Sequence, residues 1–197
     1  MIPLATIGYE SAPQARVIEA LKAAGVDVLI DVRAVAASRR AGFSKGLLSS
    51  SLQDAGIDYV HLRELGTPKE GRIAARRGRT AEMRAIFEAH MAEPAAQLQL
   101  AQAVEIARGR KAALLCYEAD HRGCHRSIVV ERMCEVADFR VENLAPSTLP
   151  AAIKRPDGAV AGPRRCATRR ALPAPRKREP GAGERHLRDA RRPDRVR

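Results

Sequence analysis

The chain has 197 residues, 45% of them hydrophobic and 29% charged, and it carries a formal net charge of +12. This length favours one folded domain, and no apolar run approaches the length of a membrane-spanning helix. Because the sequence does not open with the basic and apolar regions of a secretory signal peptide, we expect a cytoplasmic protein with reduced thiols and no membrane partner.

Most of the positive charge lies towards the C-terminal end. Residues 151–197 contain 15 of the 35 Lys and Arg residues but 5 of the 23 Asp and Glu residues, a net charge of +10, which leaves +2 for residues 1–150. The same segment is rich in Arg, Pro and Ala and has almost no large apolar residues, so it cannot bury enough surface to offset the entropy of ordering. We therefore expect a single domain over residues 1–150 and a disordered basic tail over residues 151–197.

Short apolar runs predict five strands, over residues 3–9, 26–32, 57–62, 112–116 and 139–144. Segments with apolar residues at helical spacing lie between these runs. Ser11 followed by Gln14 has the spacing of a capping box, and Ser44 can cap the next helix. Since the strands alternate with helices, the sequence predicts a three-layer α/β fold with a mainly parallel sheet and helices on both faces.

The segment after the third strand has a different character. Residues 63–80, RELGTPKEGRIAARRGRT, are rich in charge, Gly and Pro and predict a mobile lid or an irregular excursion. Thr80 is predicted to begin a helix, and Pro94 lies in the first turn of another helix that continues to about Arg108.

The loop after the fourth predicted strand carries most of the reactive side chains. Within eleven positions it contains Cys116, Glu118, Asp120, His121, Arg122, Cys124, His125 and Arg126. Other polar groups follow the earlier strands: Tyr9 and Glu10, then Asp31 and Arg33, then Arg39 and Arg40 with Phe43. The carboxyl ends of parallel strands meet at one edge of a sheet, so these groups predict a cleft that orients a polar or anionic ligand and moves protons.

Five segments in the same order over residues 4–144 resemble a bacterial and archaeal family, the domain of unknown function 488: TIGYE, DVR, SRR followed by GF, YVHLRELG and LLCYEADHRGCHRS. The last motif is the specific one. The resemblance implies a compact cytoplasmic α/β protein without an established activity. Carried over by motif, the marked positions of the family fall on Gly8, Asp31, Arg33, Phe43, Cys116, Glu118, Cys124, His125 and Arg126. A Pro often seen in the last loop is replaced here by His121 or a neighbour, which implies a less rigid loop.

Thiol chemistry is the first of three chemistries that this loop permits. Cys124 is predicted near a helix N-terminus, where the dipole, His125 and Arg126 would lower its pKa, whereas the nearby carboxylates would raise it. Glu118 can serve as proton donor or acceptor. We therefore consider Cys124 or Cys116 as the reactive thiol and Glu118 as the acid or base, while a buried packing role for Cys124 stays open.

Phosphate binding is the second possibility. The spacing Cys116-(x)5-Arg122 matches the loops of cysteine phosphatases and resembles rhodanese-type loops, in which backbone N–H groups and an Arg surround an oxyanion. The intervening residues, YEADH, include two carboxylates and no Gly, which would repel phosphate. We interpret this match as a coincidence.

A metal site is the third possibility. Cys116, Cys124 and His125, with His121 or Glu118, are residue types that bind zinc. The spacing is not that of a familiar zinc motif, and the adjacent Cys124 and His125 would need an awkward geometry. We therefore assign no metal and leave the cofactor unknown.

A non-catalytic module that binds nucleic acid or a protein partner is the alternative to an enzyme. The Arg residues between positions 39 and 79 and the basic tail offer phosphate contacts. There is no Trp, and three Tyr and three Phe do not provide a base-stacking platform. The composition therefore supports nucleic-acid binding only through charge-based contacts, chiefly those of the tail.

The sequence therefore predicts an enzyme-like protein that binds a polar or anionic ligand at the carboxyl ends of its strands. In this hypothesis Arg33 and Arg126 clamp the ligand, and Asp31 orients one of them. Gly8 and Phe43 complete the ligand-binding set, while His125 belongs with the cysteines and Glu118 to the catalytic set.

Overall fold

A computed structural model of the chain describes residues 1–147. Five strands of this part form one sheet: β1 (Ile2–Gly8), β2 (Val28–Asp31), β3 (Asp58–His61), β4 (Ala112–Cys116) and β5 (Phe139–Leu144). All paired strands are parallel, and their order is β3-β2-β4-β1-β5. The register pairs Gly8 with Cys116 and Asp31 with Leu115, so the ends of β1, β2 and β4 lie at one edge of the sheet.

Helices cover both faces of the sheet. Six α-helices lie in the described part: α1 (Gln14–Ala23), α2 (Lys45–Asp54), α3 (Lys69–Arg76), α4 (Thr80–Met91), α5 (Pro94–Gly109) and α6 (His125–Val136). One apolar core joins one face of the sheet to α1 and α2, and a second core joins the other face to α3, α4, α5 and α6. Successive residues of β2 alternate between the two cores, as the pleat of a strand requires. The predicted three-layer α/β fold is confirmed.

Two local predictions were wrong. α1 begins at Gln14 after Pro13, without a capping side-chain bond, because Gln14 Nε2 donates instead to the carbonyl of Gly42 at 2.7 Å. The expected irregular excursion contains a short 3-10 helix, Arg63–Leu65, and then α3. α3 buries Gly71 and Ala74, so its buried face lacks the large apolar residues at helical spacing that predicted the other helices.

The described part ends at residue 147, so the tail expected over residues 151–197 lies outside it. Within residues 1–147 no helix has both the length and the apolar character needed to cross a membrane.

Candidate functional site

The reactive loop connects β4 to α6. All five residues of β4 are buried, and the strand ends at Cys116. Cys124 is the N-cap of α6, with an extended backbone at φ −104° and ψ 142°, and His125 is the first helical residue. Because an N-cap residue does not have helical dihedral angles, adjacent side chains at this point can converge. The awkward geometry expected for Cys124 and His125 is therefore absent, and Cys124 Sγ lies 3.9 Å from His125 Nδ1.

Four side chains from this loop meet at one point. Cys116 Sγ donates to Glu118 Oε2 at 2.8 Å, and Cys124 Sγ donates to the same oxygen at 3.1 Å. His125 Nδ1 lies 3.6 Å from Cys116 Sγ. One ligand-type atom from each of Cys116, Glu118, Cys124 and His125 lies within 4.8 Å of the other three. We call these four residues the Cys–Glu–His cluster, and all are residue types that ligate transition metals.

The environment keeps Cys124 as a thiol. Burial raises the pKa of Cys124 well above its usual value, and the adjacent Cys116 sulfur raises it further, against the opposing influence of His125. The sequence suggested that the helix dipole, His125 and Arg126 would lower this pKa and that the nearby carboxylates would raise it. In the structure the pKa of Cys124 is raised, chiefly by burial. The thiolate of Cys124 is not the preferred form in this protein without a further positive charge.

Glu118 and His125 form the charged part of the cluster. Burial alone would raise the pKa of Glu118, but hydrogen bonds from Cys116, from its own backbone N–H and from Cys124 outweigh it, so this pKa lies below its ordinary value. Burial lowers the pKa of His125, but contacts with Cys124, with the Val32 carbonyl and with Glu118 raise it overall. The carboxylate form of Glu118 is therefore favoured next to the imidazole.

His125 also connects the cluster to the end of β2. Its Nε2 lies 2.9 Å from the carbonyl oxygen of Val32. A carbonyl only accepts hydrogen bonds, so Nε2 carries a proton, and Nδ1 is the ring nitrogen nearer to the Cys116 sulfur, at 3.6 Å against 3.9 Å for Nε2. The Asp31–Arg33 segment and the Cys–His–Arg motif, which are distant in the chain, thus meet at one edge of the sheet.

Arg126 is buried without a carboxylate partner. Its side chain is 2% exposed, its Nη2 donates to the carbonyl of Ala119 at 2.9 Å, and its Nη1 donates to the carbonyl of Glu118. Nη1 also lies 3.7 Å from Cys124 Sγ. Among residues 1–147, no acceptor bonds to the buried Nε, and the partners of the two Nη atoms are backbone carbonyls and the Cys124 sulfur. A positive charge therefore lies inside the protein with only neutral partners at hydrogen-bonding distance.

A cavity of about 190 Å³ adjoins Arg126. Thr6 and Asn143, on neighbouring strands β1 and β5, line it together with His121 and with Ser127, Val130 and Glu131 of α6. The Glu131 carboxylate is paired with Arg84 at 2.6 Å. Thr6 Oγ1 donates to Asn143 Oδ1 at 2.7 Å. Neither Thr6 nor Asn143 was predicted as a site residue: Thr6 lies in the segment TIGYE, but both side chains are uncharged and lie before the ends of their strands.

Arg33 lies in a separate buried network. Its Nε and Nη2 bond to the two oxygens of Asp31, at 2.8 Å and 2.6 Å, and Nη1 donates to Tyr9 Oη at 2.7 Å and to the carbonyl of Phe43 at 3.0 Å. Tyr59 Oη donates to Asp31 Oδ2 at 2.7 Å, a contact that the sequence did not suggest. Arg33 is not among the residues that line the cavity. Its hydrogen bonds are directed at the protein itself.

Phe43 and Gly8 have packing roles at this edge. Phe43 is 1% exposed and stacks on Tyr9 with ring centroids 4.1 Å apart. A Cβ atom at Gly8 would lie 1.9 Å from the carbonyl oxygen of Glu118. The missing side chain of Gly8 therefore lets the loop that carries Glu118 cross the end of β1.

Arg122 points away from the cluster. Its guanidinium is paired with Asp120, with Nε 3.1 Å from Oδ1, and its side chain is 81% exposed. The spacing that resembles a phosphate loop thus does not place this Arg over the Cys116 thiol.

Comparison with models of protein families relates the chain to a known family. The model of a protein family described as a domain of unknown function, DUF488, matches residues 13–133. This range includes the Cys–Glu–His cluster and Arg126 but not Gly8. No curated protein and no solved structure matches the chain significantly.

Proposed function

Because the chain belongs to the family of the domain of unknown function DUF488, whose description assigns no reaction, we propose a function from the site itself. The protein is an enzyme-like α/β protein that binds a small polar or anionic ligand in the cavity beside Arg126. The Cys–Glu–His cluster is the reactive centre next to this ligand. The proposed compartment is the cytoplasm, where the free thiols of Cys116, Cys124 and Cys134 stay reduced.

The observation that supports this proposal is the buried guanidinium of Arg126. Burial of a charge is costly unless the charge is paired and hydrogen-bonded. Within the described residues the partners of Arg126 are backbone carbonyls and the Cys124 sulfur, and its Nε has none. An anionic ligand in the adjoining cavity would supply the opposite charge beside this guanidinium.

The size of the cavity limits the ligand. Its volume of about 190 Å³ is below the range of about 300–1,000 Å³ that is typical of sites for drug-sized molecules. We therefore infer a small ligand, with a phosphate, sulfate or carboxylate group at Arg126. The hydroxyls of Thr6 and Ser127 and the amide of Asn143 offer further polar contacts.

Within the reactive centre, either cysteine serves as the reactive thiol and Glu118 as the proton acceptor. Both Sγ atoms bond to Glu118 Oε2, so this carboxylate is in place to accept the thiol proton once a nearby positive charge or an electrophile favours the thiolate. Asp31, Arg33, Phe43 and Gly8, which the sequence placed in the ligand-binding set, act in this proposal as positioning residues, because they fix the strand ends around the loop.

Anion binding by the purified full chain tests the proposal. Phosphate, sulfate and acetate are titrated and followed by calorimetry and by amide chemical shifts. Arg126→Gln should weaken binding about 10- to 100-fold, the value of a charge-assisted hydrogen bond. Val130→Phe fills the cavity but keeps the guanidinium, and this variant should abolish anion binding. Arg132→Gln is the matched control on α6, because Arg132 is exposed and pairs with Glu135.

The proposal fails if no anion binds, or if Arg126→Gln and Val130→Phe bind the anions as tightly as the wild type. A salt-sensitive complex with an RNA or DNA oligonucleotide that is equally strong in all variants would instead support the alternative of a non-catalytic binding module.

A further inference from the structure

We propose that the Cys–Glu–His cluster is a zinc site in which Cys116, Glu118, Cys124 and His125 ligate one Zn²⁺ ion. The inference rests on the proposed function in that it names what the reactive centre holds: with zinc bound, Cys116 and Cys124 are ligands, and the metal-free chain is the form in which one of them is a reactive thiol. It is tested separately from the anion site at Arg126.

The spacing of the donor atoms is that of a zinc centre. Tetrahedral Zn²⁺ has bonds of about 2.3 Å to sulfur and about 2.0–2.2 Å to nitrogen or oxygen, which separates neighbouring donors by about 3.3–3.8 Å. The Cys116 and Cys124 sulfurs lie 2.8 Å and 3.1 Å from Glu118 Oε2, and 3.6 Å and 3.9 Å from His125 Nδ1. For a sulfur and an oxygen around one ion the separation is about 3.5–3.7 Å, so the two sulfur–oxygen distances have to lengthen by about 0.4–0.9 Å, whereas the two sulfur–nitrogen distances are within about 0.4 Å of a tetrahedral centre.

The orientation of His125 is independent support. A histidine that ligates a metal usually donates its second N–H to a carbonyl or carboxylate, which fixes the ring. Here Nε2 bonds to the carbonyl of Val32 at 2.9 Å, so Nδ1 is the nitrogen left for a metal; it lies 3.9 Å from Cys124 Sγ and 3.6 Å from Cys116 Sγ, which is itself 3.9 Å from Nε2. Phe87 packs edge-on against the same ring at a centroid distance of 5.2 Å. The imidazole is thus held in a ligating orientation by residues outside the cluster.

The charge balance around the cluster is also that of a metal site. Two thiolates, one carboxylate and a neutral imidazole around Zn²⁺ carry a net charge of −1. Arg126 Nη1 lies 3.7 Å from Cys124 Sγ, so a guanidinium stands next to this negative charge whether or not an anion occupies the adjoining cavity. On binding, the two thiols release their protons to solvent and each sulfur gives an electron pair to the metal.

The donor types select zinc among the common divalent ions. Thiolate and imidazole suit zinc, whereas Mg²⁺ and Ca²⁺ prefer oxygen ligands in larger number. Cys116, Cys124 and His125 are at most 6% exposed. A closed set of four ligands in a buried position is typical of tightly held zinc.

Metal binding by the full chain tests the inference. The purified protein is stripped with a chelator, and Zn²⁺ is titrated in competition with a chromophoric chelator, which should show one tightly bound ion per chain. Co²⁺ should give the visible bands of a tetrahedral site and a thiolate charge-transfer band. Cys116→Ser and Cys124→Ser should lose the tight site and the charge-transfer band. Cys134→Ser is the matched control, because Cys134 is exposed on α6.

Alkylation of the wild type covers the case in which a variant does not fold. At a urea concentration that opens the metal-free chain, Zn²⁺ should protect Cys116 and Cys124 from iodoacetamide and leave Cys134 reactive, as read by peptide mass spectrometry. The inference is overturned if the wild type binds no ion tightly, or if Zn²⁺ protects none of the cluster thiols. If anions bind but zinc does not, the zinc inference is wrong and the proposed anion site at Arg126 is still supported. If zinc binds tightly but no anion binds, the anion site alone is wrong.

Discussion

The imidazole of His125 and the carbonyl of Val32 are joined by a hydrogen bond of 2.9 Å across 93 residues of sequence. This bond connects the first turn of α6 to the segment that leaves β2. It fixes both the ring of the Cys–Glu–His cluster and the backbone between Asp31 and Arg33. One contact thus connects the two halves of the candidate site.

Loss of this contact should destabilise the fold. His125→Ala, measured in metal-free buffer, is expected to lower the free energy of unfolding by about 2–4 kcal/mol, because a buried carbonyl loses its donor and a cavity forms beside Phe87. Urea unfolding measures the change. His121→Ala, in the same loop but with a 40% exposed side chain, should stay within about 0.5 kcal/mol of wild type. Equal losses in the two variants would contradict the role given to His125.

Gly8 should not accept a side chain. Gly8→Ala places a methyl group where the carbonyl of Glu118 lies, so the loop must shift, and we expect a loss of about 1–3 kcal/mol in unfolding free energy. Gly46→Ala is the matched control. A methyl group at Gly46 would meet no neighbouring atom within 4 Å, and Ala is favoured over Gly in a helix by about 0.5–1 kcal/mol. Thermal and urea unfolding of both variants measure these changes, and a Gly8→Ala variant as stable as the wild type would contradict the prediction.

The ion pair of Asp31 and Arg33 should be important for stability because it is buried. Asp31 is fully buried and Arg33 is 5% exposed. Asp31→Ala leaves the Arg33 charge without its partner and is expected to cost about 3–5 kcal/mol. Asp58→Ala removes an exposed pair with Arg110 and should cost at most about 1 kcal/mol. Denaturant unfolding compares the two, and similar small losses would show that Tyr9 and Phe43 hold Arg33 without Asp31.

Tyr59 should make stability fall at alkaline pH. Burial first, and then the charge of Asp31, raise the pKa of Tyr59 above its ordinary value of 10.0. The folded protein therefore keeps this proton over a range in which the unfolded chain loses it, so the free energy of unfolding decreases as the pH rises above 10.0. Unfolding at pH values about one unit either side of the ordinary value measures the decrease. Tyr59→Phe should show a smaller decrease, and an identical decrease would contradict this account.

The sequence by itself determined the architecture. Apolar runs of strand length, alternating with segments of helical periodicity, predicted an α/β fold of three layers, because burial on both faces of a parallel sheet leaves a readable pattern. The boundaries of β5 and α4 follow directly from that pattern. Helix α3 was not predicted from the sequence because its buried face consists of the small residues Gly71 and Ala74 instead of large apolar residues.

Only the tertiary structure showed which polar residues pair with each other inside the protein and which lie beside the cavity. In sequence, Arg33 and Arg126 are both basic residues near a strand end. Only the fold shows that Arg33 is paired with Asp31 and that Arg126 adjoins a cavity without a carboxylate partner in residues 1–147. The convergence of Cys124 and His125 was likewise hidden, since it depends on the backbone angles of a helix N-cap. Side-chain partners are set by the packing of distant segments, and that information is not carried by local spacing.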